Sequence, residues 1–238
     1  VKLLILDIET SPHISYTWGT WNQYVAPVQL KEHGRTLCWS AKWYGDEESL
    51  VCVTEQTGRK NMVRKIHKLM SEADAVITYN GLKFDIPMLN NEFVKYNLDP
   101  IPPQKQIDLY RTAKGRFKLA SNKLEFVAKF LKVGEKVSHS GFSLWIGVLA
   151  GNQEDWDNMV EYNIGDVLLL EKVYEKLRPW VKNHPDVAIE DNGDHCATCG
   201  SNHVQRRGKR RTKMFTVVRL HCQDCGAWSD GTKKKVPA

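Results

Sequence analysis

The sequence predicts an α/β fold: a mixed sheet covered by helices, followed by a small cysteine-held module. Three observations predict it. Strand-like apolar runs come first, at 2–8, 36–44 and 49–55, and helical and strand-like patterns then alternate as far as residue 180. The last pattern before the module, 154–180, is the longest helical one. The chain then carries two CxxC pairs, CATCG and CQDCG, in a basic segment. At 238 residues it is long enough for one ordinary core plus an appendage.

Each element has its own warrant. KLLILDI is a continuous apolar strand up to its acids. TLCWSAKWY and SLVCVTE flank GDEE and predict a hairpin. KNMVRKIHKLM places apolar residues at 62, 63, 66, 69 and 70, which is helical spacing. DAVITYNG reads as a short buried strand ending in a turn. FDIPMLNNEFVKYN, from 84, predicts a helix with Pro87 in its first turn, where proline's missing N–H is tolerated. QIDLY predicts a short strand, and SNKLEFVAKFLKV, from 121, a helix with Ser121 as its N-cap. GFSLWIGVLAG is expected to be an ordered loop or a short helix. Within 154–180, Gly165 is expected to bend the helix and Pro179 to end it. HPDVAIEDNGDH reads as a linker, so the expected division is a body at 1–183, a linker at 184–194 and the module at 195–238.

Composition narrows the class. No apolar run approaches the ~20 residues of a membrane span, and the first residues lack a basic-then-apolar signal pattern. An intracellular, cytoplasmic setting is therefore expected. Cys38 and Cys52 stand singly in apolar stretches and read as buried thiols. Paired CxxC units in such a setting read as metal sites before disulfides. Residues 1–190 carry 24 basic and 24 acidic side chains, whereas 191–238 carry 10 and 4, so all of the net +6 lies in the module. That asymmetry suggests a polyanion-binding appendage on a neutral body.

The first strand raises a problem of its own. It ends in Asp7-Ile8-Glu9, and residues two apart in a strand share a face. Two anions at about 4 Å repel by roughly 4 kcal/mol at an effective dielectric of 20. The fold tolerates this if the pair is solvated, protonated or holding a cation. Two further acids follow apolar runs. Asp85 opens the helix after ITYNG, and Asp166 lies on the long helix with Tyr162 four residues earlier, one turn away on the same face. Read singly, each fits a plainer role: an exposed strand end, a helix N-terminal acid, a solvated helix acid, a packing tyrosine.

Taken in order, ILDIETS, YNGLKFDIPML and YNIGD resemble the three motifs of the DEDD superfamily of 3′→5′ exonucleases, over roughly residues 1–180. The third has the tyrosine (DEDDy) form; the position where the histidine form carries its histidine is Glu161 here. The Trp-rich insert SYTWGTWNQYVAPVQLKEHGRTLCWSAKWY, from 15 to 44, and the closing LRPWVKNHP are similar to those of stand-alone, phage- and bacteria-encoded predicted exonucleases. The resemblance implies a ribonuclease-H-like mixed sheet flanked by helices, and phosphodiester hydrolysis assisted by two Mg²⁺ or Mn²⁺ ions. Asp7 would bridge the ions, Glu9 and Asp166 would complete the nucleophile-side ion, and Asp85 would support the second. Tyr162 would orient the attacking water, since a phenol with pKa near 10 is a poor base at neutral pH. Thr10, Asn80 and Phe84 match positions that touch the terminal nucleotide. Carboxylate oxygens are the donors that hard divalent ions take, so a cation between Asp7 and Glu9 would explain their closeness.

Three other features are less specific. Asp108 in QIDLY reads as a strand-end acid more readily than as a fifth site carboxylate. His139 in KVSHSGF reads as an ordinary loop histidine before a substrate contact. Trp18, Trp21, Trp39 and Trp43 in the insert read as core before base-stacking rings, with Trp39 and Trp43 the stronger core pair.

In the module, Cys196, Cys199, Cys222 and Cys225 have the spacing of a zinc ribbon, with a glycine after each pair to permit a tight turn. Four thiolates leave no open position, so one structural Zn²⁺ is expected. His195 and His221 are alternative ligands that four cysteines make unnecessary. Between the pairs, VQRRGKRRTKMFTVVRLH reads as a basic turn feeding a strand. Arg206, Arg207, Lys209, Arg210, Arg211 and Lys213 are candidates for phosphate contacts. The module resembles zinc ribbons attached to transposases and nucleic-acid enzymes.

The function expected is a two-metal-ion 3′→5′ exonuclease acting on DNA, single-stranded or at 3′ ends, with the ribbon assisting binding. It would lie in the host cytoplasm if phage-encoded, off the membrane, with a replication or repair protein as a further partner. The alternatives are an RNA exonuclease, a structure-specific endonuclease, and, from another class, a non-catalytic nucleic-acid-binding protein.

Overall fold

The structure, a computed structural model, describes residues 1–182, 184–188 and 194–235. In chain order its strands and helices are β1 (Leu3–Thr10), β2 (Ile14–Ser15), β3 (Leu30–Glu32), β4 (Thr36–Trp43), β5 (Val51–Thr54), α1 (Arg59–Glu72), β6 (Ala75–Thr78), α2 (Asp85–Lys95) and β7 (Lys105–Asp108). Then come α3 (Leu109–Arg116), α4 (Leu124–Leu131), α5 (Phe142–Leu149), α6 (Gln153–Leu177), β8 (Val204–Arg211), β9 (Phe215–Cys222) and β10 (Trp228–Lys235). The main sheet has the order β5-β4-β1-β6-β7. β1, β4 and β5 are antiparallel, as the short connection between β4 and β5 permits, while β6 and β7 run parallel to β1. Parallel neighbours need crossovers, and α1 and α2 supply them. The result is the mixed sheet with flanking helices that the sequence predicts.

β1 is buried on both faces, which explains its unbroken apolar run. Leu3 and Ile5 face one core with Ile77, Ile107, Val167, Leu170 and Tyr174; Leu4, Leu6 and Ile8 face the other with Trp39, Met62, Ile66, Leu89 and Phe93. By the period of two, Asp7 and Glu9 continue the first face, the one α6 covers. A buried Lys42 on β4 ties the sheet to α6 through an ion pair with Glu171 and meets Glu47 at 2.6 Å.

The structure departs from expectation in several places. Ser121 is not an N-cap: α4 begins at Leu124 after Lys123, and Ser121 Oγ instead accepts from the Lys123 N–H at 3.3 Å. α3 follows β7 directly, and Asp108 caps it by accepting from the Arg111 N–H at 3.2 Å. That is the plainer of its two expected roles. GFSLWIGVLAG forms the helix α5. α6 is continuous through Gly165, where a Cβ would stand 2.5 Å from Val137 Cγ2. The helix ends before Pro179, as expected. The basic "turn" between the cysteine pairs is the strand β8, paired antiparallel with β9. Trp39 is buried and donates to the Met62 carbonyl at 3.0 Å, whereas Trp18 and Trp21 are exposed rather than core. The expected linker lies partly outside the described residues, at 183 and 189–193; the described Val187 packs on the body and its N–H donates to the Ala197 carbonyl at 3.0 Å. Among the described residues no helix is long and apolar enough to cross a membrane.

Candidate active site and cysteine cluster

The strand period and the helix period converge on one point. Asp7 and Glu9 point from β1 toward α6, and α6 returns Asp166; oxygens of the three carboxylates all lie within 4.8 Å of one another. Asp85, at the first turn of α2, adjoins them from the other side. It is buried, and its Oδ1 accepts from the Ile8 N–H at 3.2 Å, between the two β1 acids. The structure thus gathers Asp7, Glu9 and Asp166 tightly and sets Asp85 against the strand beside them.

Burial and mutual repulsion raise the acids together. Burial, then the charges of Asp85, Glu9 and Asp166, hold Asp7 well above the carboxylate range. Burial and the Asp166 charge push Glu9 up to about 8. Burial pushes Asp85 up to about 7, against the backbone N–H groups that favour its ionised form. Asp166 is raised by burial and restrained by Lys136. Buried anions this close are stable only when protonated or compensated by positive charge. The donor set is all carboxylate oxygen, suited to Mg²⁺ or Mn²⁺, and Asp166 Oδ1 is buried with no hydrogen-bond partner among the described residues. The residues fit a hard divalent ion.

Two further residues complete the site, and the sequence motifs do not mark either. Asn163, one residue after Tyr162 on α6, donates from Nδ2 to Asp7 Oδ2 at 2.7 Å and is fully buried. Lys136 Nζ lies 2.5 Å from Asp166 Oδ2, donates to the Tyr162 hydroxyl at 2.8 Å, and sits 4.9 Å over the Tyr162 ring. Burial works against its charge, but Asp166 and Tyr162 hold it protonated, a net upward shift. Burial pushes Tyr162 up to about 12, only partly offset by Lys136. A charge count alone would not single out Lys136 among the basic residues of the body; its signal is a position near Gly165, visible only once the loop is packed on α6.

These groups line a cleft of about 470 Å³, bounded by Asp7, Tyr79, Asn80, Lys136, Tyr162 and Asp166. Tyr110 and Asn122 also line it, and through Asp7 and Asp166 it reaches the carboxylate group. Asn80 reaches it because its backbone is left-handed (φ 67°), with its N–H donating to Asp108 Oδ1 at 3.0 Å. His139 also lines it, packed edge-on against Tyr162 and Trp145 with ring centres 4.7 and 5.4 Å apart. Thr10 and Phe84 do not line it. The Thr10 carbonyl accepts from Trp145 Nε1 at 3.0 Å, and Phe84 is half-exposed at the start of α2.

The four module cysteines form a second cluster. Cys196 and Cys225 sulfurs lie 3.6 Å apart, and Cys199 and Cys222 sulfurs 3.7 Å apart. A tetrahedron of 2.3 Å Zn–S bonds has edges of about 3.8 Å, so the quartet fits a zinc ion. Gly200 and Gly226, at φ 77° and 78°, turn each CxxC back on itself, and their N–H groups donate to the Cys196 and Cys222 carbonyls. Burial pushes the Cys222 thiol up, but hydrogen bonds from the Cys225 and Asp224 N–H groups and from the Cys199 and Cys225 thiols together outweigh it and draw it down to about 7. His221 stacks on Trp228 and His195 meets Asp186, and neither belongs to the quartet. Arg206, Arg207, Lys209, Arg210 and Arg211 stand exposed on β8, and Lys213 is exposed in the connection to β9. Arg206 pairs with Asp194 and Arg210 with Asp230, while among the described residues no ion pair joins Arg207, Lys209 or Arg211.

A sequence profile of the RNase_H superfamily matches residues 36–178. The chain belongs to that superfamily, whose membership supports nuclease chemistry at a general level. The match includes Asp85, Tyr162 and Asp166 but begins after β1, so Asp7 and Glu9 join the site through geometry. Among solved structures, the family B DNA polymerase from the hyperthermophilic archaeon Pyrobaculum calidifontis is similar, with a TM-score of 0.55 and 16% identity over 75% of this chain. The likeness spans 24% of the polymerase chain and is one of fold. A comparison with curated proteins finds no match.

Proposed function

We propose that the protein is a metal-dependent 3′→5′ exonuclease of the tyrosine DEDD type, of the stand-alone phage or bacterial kind, acting on DNA, single-stranded or at 3′ ends. The observation that carries this reading is the convergence of Asp7, Glu9 and Asp166 from β1 and α6, with Tyr162 one helical turn away. Asp7, Glu9 and Asp166 would hold one Mg²⁺ or Mn²⁺, with Asp85 supporting a second beside Asp7. Such ions supply an acidified water and offset the phosphate charge.

The chain's own groups do the rest. Asn163 holds one oxygen of Asp7 and so orients the other. Tyr162 keeps its proton at neutral pH and acts by hydrogen bonding rather than as a base. Lys136 fixes the Tyr162 hydroxyl and carries a positive charge to the edge of the cleft, where an anionic phosphodiester would meet it. Direction and DNA substrate follow from the resemblance of the three motifs to the exonuclease family.

The organisation proposed is a nuclease body at 1–183, a linker at 184–194 and a zinc ribbon at 195–238 whose basic strands hold nucleic acid. A replication or repair protein would be the partner in trans. The test is a 5′-labelled single-stranded DNA with Mg²⁺ or Mn²⁺, run beside Asp7→Ala and beside EDTA. A ladder of shortening products, lost in both controls, is expected. Cleavage of labelled RNA but not DNA would reassign the substrate, and inertness toward both would leave a binding protein.

A further inference from the structure

The segment between β1 and β4 holds the most exposed aromatic side chains among the described residues of the body. Tyr16, Trp18, Trp21 and Tyr24 are 69%, 101%, 82% and 84% exposed, in a fold that buries Trp39 and Trp156. The segment is not a shapeless loop. Beyond the Thr10–Thr36 pair, the Ser11 N–H donates to the Arg35 carbonyl at 2.8 Å and the Arg35 N–H to Ser11 Oγ at 3.0 Å. The Gly34 N–H donates to His13 Nδ1 at 2.9 Å, β2 pairs with β3, and the Tyr16 N–H donates to the Gln29 carbonyl at 2.9 Å. Gly34 is required here, since a Cβ would stand 2.8 Å from the Ser11 carbonyl oxygen. These bonds make a two-stranded arm that extends the β1–β4 pair beyond the sheet, with the rings at its tip.

We propose that this arm is a stacking surface for the single-stranded nucleic acid that leads into the carboxylate cleft. The inference rests on the nuclease reading and adds the element that grips the strand. An arm of two short strands has no second layer against which to bury four large rings, so their partner must come from outside. The arm leaves β1 at Thr10, the residue after Glu9, so its base stands beside the carboxylate group. Residues 16–29 carry no charged side chain, so no acid at the tip repels a polyanion. Every base offers a flat π face, and stacking on aromatic side chains is sequence-tolerant. From Thr10 to Tyr16 the arm reaches about 20 Å, roughly the length of six stacked nucleotides. The contribution of the arm therefore depends on strand length.

The test compares the full-length wild type with a Trp18→Ala, Trp21→Ala double variant. Binding of 5′-fluorescent oligo(dT) of roughly three and roughly twelve nucleotides, either side of the length the arm spans, is followed by anisotropy in EDTA. Hydrolysis of the p-nitrophenyl ester of thymidine 5′-monophosphate with Mn²⁺ reports the cleft alone. Loss of each ring should weaken the long oligonucleotide about tenfold or more. The short oligonucleotide, the ester and the melting temperature should be unchanged. Equal affinity of both proteins for the long oligonucleotide would overturn the proposal. So would a concentration-dependent dimer in sedimentation that only the wild type forms, with oligonucleotide binding unaltered, because the rings would then meet a second copy. If the wild type hydrolyses neither ester nor DNA, the nuclease reading fails, yet the binding difference in EDTA still decides the role of the arm.

Discussion

At the scale of single residues, the site is a set of anions whose charges depend on their neighbours. Asn163 is a neutral group that bonds to Asp7. Replacing it with alanine should weaken divalent-ion binding by about 10–100-fold, as titration calorimetry with Mn²⁺ would read; an unchanged affinity would mean that Asp7 needs no such support. The raised acids set a pH dependence. Glu9 titrates at about 8 and Asp85 at about 7, against ordinary values of 4.5 and 3.8. Between those values the metal-free folded state binds more protons than the unfolded chain, so its stability falls as pH rises through the window. A divalent ion competes with those protons, so its affinity should rise, and its proton release fall, from about pH 6 to 8. Melting temperatures with EDTA and with Mn²⁺, taken across that range, should therefore diverge as pH increases. Parallel curves would show that the carboxylates do not take the ion.

At the scale of elements, two packing contacts position the site. The loop carrying Lys136 lies on α6 where Gly165 leaves room for Val137. Gly165→Ala should push that loop away, costing about 1–3 kcal/mol of stability by overpacking. It should also lower turnover more than that destabilisation explains, because Lys136 would leave Tyr162 and Asp166. Thermal melts beside nuclease assays separate the two, and full activity would mean that Lys136 tolerates the shift. The local patterns for most elements were legible because burial on one or both faces imposes a period of two or 3.6. α3 was not, since LYRTAKGR follows a strand without a gap and has only Leu109 and Ala113 on its buried face. Ser121 looked like a cap because of its residue type, but the capping position is set by where the chain turns, two residues later.

At the scale of the whole molecule, the body is formally neutral and the module carries the net charge. Tyr174, two turns beyond Asp166 on α6 and about 12 Å along it, stacks on His184, and Val187 packs on the same core. Gly200 in turn sits against Val187. The basic strands are thus carried by a module fastened to the body. If Arg207, Lys209 and Arg211 each neutralise a phosphate, replacing all three with glutamine should reduce the slope of log affinity against log salt. The expected reduction is about 0.7 per phosphate on a single strand. An unaltered slope would remove β8 from the binding surface.

Sequence alone determined what depends on neighbours along the chain: strand and helix periods, three acid-bearing motifs in order, and two CxxC turns whose glycines adopt the left-handed backbone the turns require. Only the tertiary structure decided what depends on packing between distant segments. It set Lys136 on Tyr162 and Asp166, and Asn163 on Asp7, pairs that lie 26 to 156 residues apart. It also left Trp18 and Trp21 exposed where the sequence expected core, while Trp39 is buried against α1 as its strand pattern suggests. The physical reason is that burial and hydrogen bonding are properties of what a side chain meets in space, and a linear pattern states only which face it shares.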